Sequence, residues 1–265
     1  MNLTQLLHDL WCDYTKRTPS AAKIQQLFNE TFGAFKNDHI AIRTFNITEV
    51  AIDIIAKPFL ELGYVEKDSY YFSQKKLNAK HYEHPTNPDA PLLFISEIVL
   101  ENFSEKTQHL IRELMYEVNE DSPLITQGRT WPVSYAIYLK LLQESEYIAW
   151  LYVNGFCVNH FTVAINSIDS TPSLQKVNNY LKEQGFQLNN SGGEIKGNPA
   201  VKLEQSSILA DMLTINFNEG NYQTTSCYYE FAYRHLNLDG TVFKGFITES
   251  ADKIFESTDL ALMNS

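Results

Sequence analysis

The sequence predicts an α+β fold in which two βαβββ modules form one curved sheet, a half-barrel, with helices added before the first module and between the two. The first observation is an internal repeat: the strand-like segment DHIAIRTF, which begins at Asp38, is echoed about 120 residues later by NHFTVAIN. Each segment leads into a helix-like stretch that ends in glycine followed by an aromatic residue, at Gly63 and Gly185. Each helix is followed by turn-rich, strand-like sequence, so strand, helix and about three strands occur twice.

The chain begins with a predicted helical segment over residues 1–36. Apolar residues recur at helical spacing from Leu3 to Tyr14 and again from Ile24 to Phe32. Stripes of this kind usually pack into a core rather than bind a ligand. We therefore interpret this segment as structural.

The first module is predicted over residues 37–100 and the second over residues 154–235. Asn46, with Glu49 three positions later, indicates the start of the first helix. The Thr-Pro pair at 171–172 indicates the start of the second. The later strands are expected in SYYFSQKKLNAKHYEHP and PLLFISEIVL in the first module, and in GGEIKGNPAVKLEQSS, ADMLTINF and TTSCYYEFAYR in the second.

Two further segments complete a single predicted domain of 265 residues. Residues 101–153 show helical periodicity in two stretches and form a helical insertion between the modules. Residues 236–265 form a C-terminal tail, in which ITESADKIFEST predicts a short helix capped near Ser250. The glycine-rich SGGEIKG lacks the strand-then-helix setting of a phosphate loop, so we interpret it as a hairpin turn.

Charge and composition exclude several classes of protein. The formal net charge is -11, without a cluster of lysine or arginine, so nucleic acid is not an expected partner. No apolar run is long enough for a membrane span, and Asp9 and Asp13 interrupt the N-terminal segment where a signal peptide needs an apolar region. The 3 cysteines are scattered, without a C-x-x-C pair, which fits a reducing compartment. We expect a soluble cytoplasmic protein of undetermined oligomeric state.

Two histidines occupy matching positions in the repeat. Alternation along a strand places His39, Ala41 and Arg43 on one face of the first segment, while His160 and Thr162 share a face of the second. Packing alone gives no reason to repeat a histidine. If the two curved modules face each other, His39 and His160 become neighbours in one cavity. Arg43 shares the face of His39 and offers a local cation for an anionic ligand, which the negative net charge otherwise repels.

The last predicted strand adds a carboxylate. In SCYYEFAYR, alternation places Tyr228, Glu230 and Ala232 on one face. A carboxylate in apolar surroundings requires a positive partner. Two histidines and one carboxylate form the facial triad that holds non-haem iron(II) with open coordination positions, and the same set can hold zinc, manganese or nickel. His39, His160 and Glu230 are therefore the candidate metal ligands.

Each of these residues also has a structural interpretation. The two histidines could be hydrogen-bonded core residues, Glu230 could pair with Arg234, and Arg43 could form a surface ion pair. His81 and His84 in KHYEHP are close enough in sequence to suggest a metal, but a neighbouring proline indicates a turn, so we expect them to be solvated. No serine or cysteine lies in the sequence context of a catalytic nucleophile.

Three motifs together resemble a known family. These are H-x-A-x-R in the first strand, NHFTVAIN in the middle and YYEFAYR near the end, flanked by RTWP and FITESADKIFEST. Their order and spacing are similar to those of the 2-oxoadipate dioxygenase/decarboxylases, also called hydroxyglutarate synthases, of the vicinal-oxygen-chelate superfamily. The likeness covers about residues 35 to 260. It implies an iron(II) enzyme of lysine degradation that converts 2-oxoadipate and dioxygen to 2-hydroxyglutarate and carbon dioxide.

The resemblance also implies roles for individual residues. His39, His160 and Glu230 would hold Fe(II). Arg43 would grip a substrate carboxylate, as a binding and catalytic residue, through the planar fork that lysine lacks. A purified sample could carry Zn or Ni in place of iron.

The substrate pocket is expected to need further residues. Many family members are longer at the C-terminus, where the additional part can contribute to the pocket, so the metal ligands carry over more directly than the substrate does. Gln205 and Ser206, on the inner strands of the second module, are the candidates to complete the pocket here.

Two other functions compete with this one. A protein of the same fold could use the ion only as a Lewis acid, as a metal-dependent isomerase, lyase or hydrolase. That function predicts activity with zinc and no oxygen uptake. A small-molecule binding protein without catalysis could use the histidines as hydrogen-bonding groups, and it predicts no stoichiometric metal.

Overall fold

A computed structural model describes residues 2–116, 118 and 124–259 of the chain. Two helices precede the sheet, α1 (Leu3–Arg17) and α2 (Pro19–Thr31). Their buried faces carry apolar residues at the predicted helical spacing, among them Leu6, Leu10, Tyr14, Ile24 and Phe28. Trp131 and Trp150, in the segment between the two modules, are also buried.

The two modules and the helices between them follow in chain order. The first module contains β1 (Asn37–Phe45), α3 (Ile52–Glu61), β2 (Val65–Phe72), β3 (Leu77–Glu83) and β4 (Leu92–Ile98). The intervening helices are α4 (Glu105–Met115), α5 (Tyr135–Glu144) and α6 (Glu146–Asn154). The second module and the tail contain β5 (Val158–Ala164), α7 (Leu174–Glu183), β6 (Lys196–Asn198), β7 (Leu203–Ser207), β8 (Met212–Phe217), β9 (Gly220–Thr225), β10 (Tyr228–Arg234) and α8 (Thr248–Phe255).

The modules share one sheet, which has eight strands within the described residues, in the order β2-β3-β4-β1-β5-β10-β7-β6. The leading strands β1 and β5 lie antiparallel at its centre. β4 runs parallel to β1, and β10 runs parallel to β5, so the arrangement repeats on either side of the centre. The predicted α+β fold with two βαβββ modules is confirmed. Its topology brings the two repeated segments into direct contact.

One predicted strand lies outside this sheet. ADMLTINF is expected in the second module, but β8 pairs with β9 in a separate two-stranded sheet. The first short strand after α7 is instead β6, which Pro199 separates from β7. The β8–β9 hairpin packs on α5, where Tyr135 stacks on Tyr222 with ring centroids 3.7 Å apart. Apolar contact with that helix, rather than a position in the large sheet, accounts for the apolar side chains of β8.

Two predicted helix starts are displaced. α3 begins at Ile52, whereas the Asn46 side chain accepts a hydrogen bond from the backbone of Leu100. α8 has Ile247 at its N-cap, so Ser250 lies inside the helix. Both helices bury apolar residues, and tertiary packing of this kind determines helix position more strongly than a single capping residue does.

The two faces of the sheet have different coverings. We call the face that carries His39, His160 and Glu230 the front face. Helices α1, α2 and α7 pack on the opposite back face, where the rings of Trp11 and Phe161 lie 5.0 Å apart. α6 and the tail that includes α8 cover the front face. None of the described helices is both long and apolar enough to cross a membrane.

Candidate metal centre

Three adjacent strands bring the predicted ligands together. His39 lies on β1, His160 on β5 and Glu230 on β10, and each side chain is at most 3% exposed. The two histidine Nε2 atoms are 3.4 Å apart. His39 Nε2 lies 3.6 Å from Glu230 Oε1, and His160 Nε2 lies 3.2 Å from Glu230 Oε2. The three donor atoms all fall within 4.8 Å of one another.

These separations fit a single metal ion. With metal–ligand bonds of about 2.1 Å, two donors at right angles stand about 3.0 Å apart, and two donors at a tetrahedral angle about 3.4 Å apart. The observed separations of 3.2 to 3.6 Å therefore match one face of a coordination sphere. Three protein ligands on one face leave the opposite positions open to small molecules.

Both histidines are oriented by an oxygen atom on the preceding residue. His39 Nδ1 lies 2.7 Å from Asp38 Oδ1, and His160 Nδ1 lies 3.0 Å from Asn159 Oδ1. A proton on each Nδ1 donates to that oxygen and leaves the Nε2 lone pair directed at the cluster, as metal binding requires. Burial, together with the neighbouring His39 and Arg43, lowers the pKa of His160 well below its usual range, so its imidazole is neutral.

The carboxylate of Glu230 lacks a compensating cation among the described residues. Gln205 Nε2 donates to its Oε1 at 2.6 Å, while Oε2 accepts no hydrogen bond from the described part of the chain. Burial raises the pKa of Glu230. Lone pairs of three buried atoms thus face one another, which costs free energy unless a cation lies between them. A divalent metal fits this need, and Gln205 leaves one carboxylate oxygen to bind it.

Arg234, which the sequence offered as a partner of Glu230, forms its ion pair with Asp38 instead. Arg234 lies at the end of β10, and its Nε and Nη2 atoms approach Asp38 Oδ2 and Oδ1 at 2.8 and 2.9 Å. Burial by itself raises the pKa of Asp38, but Arg234 and the hydrogen bond from His39 lower it well below its usual range. Asp38 is therefore ionised and can stabilise a metal-bound His39.

Replacing Asp38 with asparagine is expected to weaken metal binding about tenfold, because the oxygen beside His39 Nδ1 loses its charge while the side chain keeps its size. Competition with a metallochromic chelator would measure the dissociation constant. Asp89→Asn is the matched control, since Asp89 loses the same charge from an exposed ion pair with Lys36 and does not belong to the buried cluster. Equal metal affinity in Asp38→Asn and the control would contradict this role for Asp38.

Arg43 is buried rather than part of a surface ion pair. It is 1% exposed, and its guanidinium lies 4.7 Å from the ring of Tyr147 and 5.0 Å from that of Trp150. Nη1 lies 3.4 Å from Glu146 Oε1, and Nη2 donates to Thr258 Oγ1 at 3.1 Å. Nε has no hydrogen-bond partner in the described ranges. The side chain is thus held rigidly with one donor still to be satisfied.

The two predicted pocket residues of β7 lie on opposite faces. Gln205 contacts Glu230 on the front face. Ser206 instead donates to Asn178 Oδ1 of α7 at 2.7 Å, on the back face. Neighbouring residues of a strand point to opposite faces, so both could not line one cavity. The structure brings Gln205 to the cluster and does not bring Ser206 there.

The prediction of solvated histidines in KHYEHP is wrong for His81. His81 lies within β3 rather than in a turn and is 1% exposed. Its Nδ1 is 2.9 Å from the hydroxyl of Tyr70, and its ring lies 5.5 Å from that of Phe246 in the tail. His84 is partly buried, with Nε2 3.0 Å from the carbonyl of Leu62. Coverage of the front face by the tail is the physical reason for the burial of His81.

The sequence placed Thr162 on the face of His160, but it did not identify the other neighbours of the cluster. Thr162 Oγ1 lies 3.1 Å from His39 Nε2, and the ring of Phe246 packs against His39 at 4.9 Å. Asp38 and Asn159 could have been found, because each precedes its histidine and the internal repeat aligns them. Phe246 could not, since nothing local in the sequence indicates that the tail folds over the front face.

Comparison with known proteins adds to this geometry. The family model described as 2-oxoadipate dioxygenase/decarboxylase matches residues 2–128 and 124–241. The chain belongs to the 2-oxoadipate dioxygenase/decarboxylase family. A chloroplastic 2-oxoadipate dioxygenase/decarboxylase of Arabidopsis thaliana is 33% identical over an alignment 283 residues long, including gaps, that covers 92% of this chain and 74% of the relative.

Solved structures agree with membership of the 2-oxoadipate dioxygenase/decarboxylase family. A hydroxyglutarate synthase from Oryza sativa, crystallised in complex with 2-oxoadipate, superposes with a TM-score of 0.91 at 30% identity, covering 98% of this chain and 93% of that one. A Shewanella frigidimarina protein described as a candidate hydrolase superposes with a TM-score of 0.89 at 46% identity. The superposition covers 93% of this chain and 98% of that one.

Proposed function

We propose that this protein is an Fe(II)-dependent dioxygenase that converts 2-oxoadipate and O2 to 2-hydroxyglutarate and CO2, a step of lysine degradation. The observation that carries the proposal is the buried cluster of His39, His160 and Glu230, with the cation Arg43 on the same strand face as His39. Support for the substrate comes from the related rice hydroxyglutarate synthase, which was crystallised with 2-oxoadipate.

The ligand set suits a metal that must bind two further reactants. When bound, Fe(II) supplies coordination positions for the 2-oxo acid and for dioxygen, together with the redox chemistry of the reaction. The protein keeps those positions open by offering three ligands on one face. Gln205 contributes because its hydrogen bond to Glu230 Oε1 favours binding of the metal through the other carboxylate oxygen.

Arg43 gives the site its affinity for an anion. Its contacts with Glu146 and Thr258 fix the orientation of the guanidinium, and the rings of Tyr147 and Trp150 shield it from solvent. A buried, oriented arginine binds a carboxylate more strongly than a solvent-exposed arginine does. Its guanidinium has already lost its water and its conformational freedom, so neither cost is repeated when the carboxylate binds. We assign it to a carboxylate of the 2-oxo acid.

The surroundings of the cluster exclude bulk water. Phe246 packs edge-on against His39, and Tyr228 stacks on His160 with ring centroids 4.6 Å apart. Exclusion of water strengthens electrostatic interactions within the site and protects reactive species from side reactions. A closed front face therefore suits an oxidative decarboxylation.

Oxygen consumption tests the proposal against both rival functions. The protein is stripped with a chelator, reconstituted with either Fe(II) or Zn(II), and mixed with 2-oxoadipate in an oxygen electrode. We expect equimolar loss of oxygen and 2-oxoadipate with Fe(II) and neither with Zn(II). Turnover with Zn(II) and no oxygen loss would instead establish a non-oxidative lyase, isomerase or hydrolase. Failure of the protein to retain stoichiometric metal would favour a binding protein.

A further inference from the structure

Tyr228 is a buried residue of the front face with an unused hydrogen-bonding group. It lies two positions before Glu230 on β10, and alternation along the strand places both side chains on the same face. Its ring stacks on His160 at a centroid distance of 4.6 Å and an interplanar angle of 30°. The side chain is 0% exposed, yet the hydroxyl makes no hydrogen bond to the described residues.

Arg43 lies at the same end of the site as Tyr228. The guanidinium of Arg43 is 5.0 Å from the ring of Trp150, and the indole nitrogen of Trp150 donates to the carbonyl of Ser226, two residues before Tyr228. Tyr228 is in register with His160, and His160 is in register with Ala41, which lies two residues before Arg43 on the same face of β1. Two buried donors of the front face, the Tyr228 hydroxyl and Arg43 Nε, thus lack hydrogen-bond partners within the described part of the chain.

A buried donor without a partner costs free energy, so such groups in a binding site are normally satisfied by the ligand. A phenol with an ordinary pKa of about 10 is protonated at neutral pH and can donate. Two unsatisfied donors on one face of the sheet, one of them on a ring that stacks on a candidate metal ligand, suit an anion with adjacent oxygen atoms. A carboxylate has this geometry and can accept from both donors at once.

We propose that the Tyr228 hydroxyl and Arg43 Nε together bind one carboxylate of the metal-chelating 2-oxo acid, which makes Tyr228 a substrate-binding residue of the reaction. This inference rests on the proposed function, since it assumes a 2-oxo acid at the metal. Tyr228 selects for a carboxylate over a neutral group, because a neutral oxygen or a methyl group leaves at least one of the two donors unsatisfied.

Tyr229 provides a matched control on the same strand. It is also buried, and its hydroxyl has no hydrogen-bond partner among the described residues, but it lies on the back face, where its ring is 5.8 Å from that of Trp11. Tyr228→Phe and Tyr229→Phe therefore remove the same atom from neighbouring positions on opposite faces. Any effect of losing a buried hydroxyl on folding is shared by the two variants.

The test measures binding rather than turnover. Wild type and both variants are loaded with Mn(II) and titrated anaerobically with 2-oxoadipate in a calorimeter, and metal affinity is measured separately by chelator competition. We expect unchanged metal affinity in all three proteins, and a dissociation constant for 2-oxoadipate raised about 10- to 100-fold in Tyr228→Phe alone.

The outcomes separate the inference from the proposed function. Binding of 2-oxoadipate by wild type with equal affinity in Tyr228→Phe would overturn the role of Tyr228 and leave the proposed function standing. An equal loss of affinity in both variants would also overturn it, because the effect would then be structural. Absence of 2-oxoadipate binding by metal-loaded wild type would overturn the proposed function, and the inference with it.

Discussion

Replacing His160 with alanine is expected to weaken metal binding by more than about 100-fold and to abolish oxygen consumption. Losing one of three ligands should weaken metal binding more than losing a residue that only orients a ligand does. Loss of an orienting residue already lowers metal affinity about 10- to 100-fold. Metal analysis after reconstitution and desalting would measure the occupancy. The matched control is His109→Ala, because His109 is exposed on α4 and pairs only weakly with Glu113 at 3.1 Å.

Thermal unfolding distinguishes loss of the metal from loss of the fold. The metal-free cluster brings together three buried lone-pair atoms, so removal of one imidazole is expected to leave the metal-free protein folded. Metal at 100 times its dissociation constant stabilises a protein by about 2.7 kcal/mol. Wild type and His109→Ala should show this gain, and His160→Ala should not. Full metal content and equal stabilisation in His160→Ala would place the ion elsewhere.

Replacing Arg43 with lysine is expected to lower kcat/KM for 2-oxoadipate by about 100-fold while the metal content stays unchanged. Lysine keeps the charge but loses the planar fork that contacts Glu146, Thr258 and the substrate together. Misplacement of a bound substrate by about 1 Å can cost about 100-fold in rate. Steady-state kinetics with 2-oxoadipate, together with metal analysis of the same samples, would measure both quantities.

Arg112→Lys is the control for Arg43→Lys. Arg112 makes the same type of contact with a carboxylate, Glu101, at 2.9 Å, but both side chains are about half exposed. An exposed ion pair contributes little and tolerates lysine. If Arg43→Lys retained the kcat/KM of Arg112→Lys, Arg43 would not bind the substrate. If it lost the metal, its main role would be to support the cluster.

The positions of the proposed metal ligands could be predicted because they depend on two short-range rules. Alternation along a strand assigns each side chain to a face, and the internal repeat indicates which two strands are equivalent. Together they predicted that His39 and His160 would be neighbours, whereas Glu230 was added to them because two histidines and a carboxylate form a common metal-ligand set. The observed separations of the three donor atoms agree with that prediction.

Contacts between distant segments could not be predicted in the same way. Arg234 could have paired with Glu230 four positions earlier, but Asp38, at the start of β1, lies within reach only because β1 and β10 flank β5. The burial of His81 depends on the tail segment that contains Phe246. Ser206 is a different case, because alternation from Gln205 already placed it on the back face.

The tail contributes more to the site than its sequence indicates. Arg234 Nη1 donates to the carbonyl oxygens of Phe243 and Gly245 at 3.2 and 2.8 Å, which places Phe246 over His39. Thr258, just beyond α8, contacts Arg43. Thr258, after α8, therefore takes part in the surroundings of Arg43, a role that helical periodicity alone could not have revealed.

Turnover of 2-oxoadipate under isotopically labelled dioxygen would establish or refute the proposed reaction of this site. The Fe(II)-loaded protein is supplied with 2-oxoadipate and ¹⁸O2, and the products are identified by mass spectrometry. Oxidative decarboxylation followed by hydroxylation places one oxygen atom in the new carboxylate and the other in the hydroxyl group, so we expect 2-hydroxyglutarate that carries two labelled atoms, with unlabelled CO2. A five-carbon product without label, or unchanged 2-oxoadipate despite bound iron, would contradict the assignment of this site to a 2-oxoadipate dioxygenase.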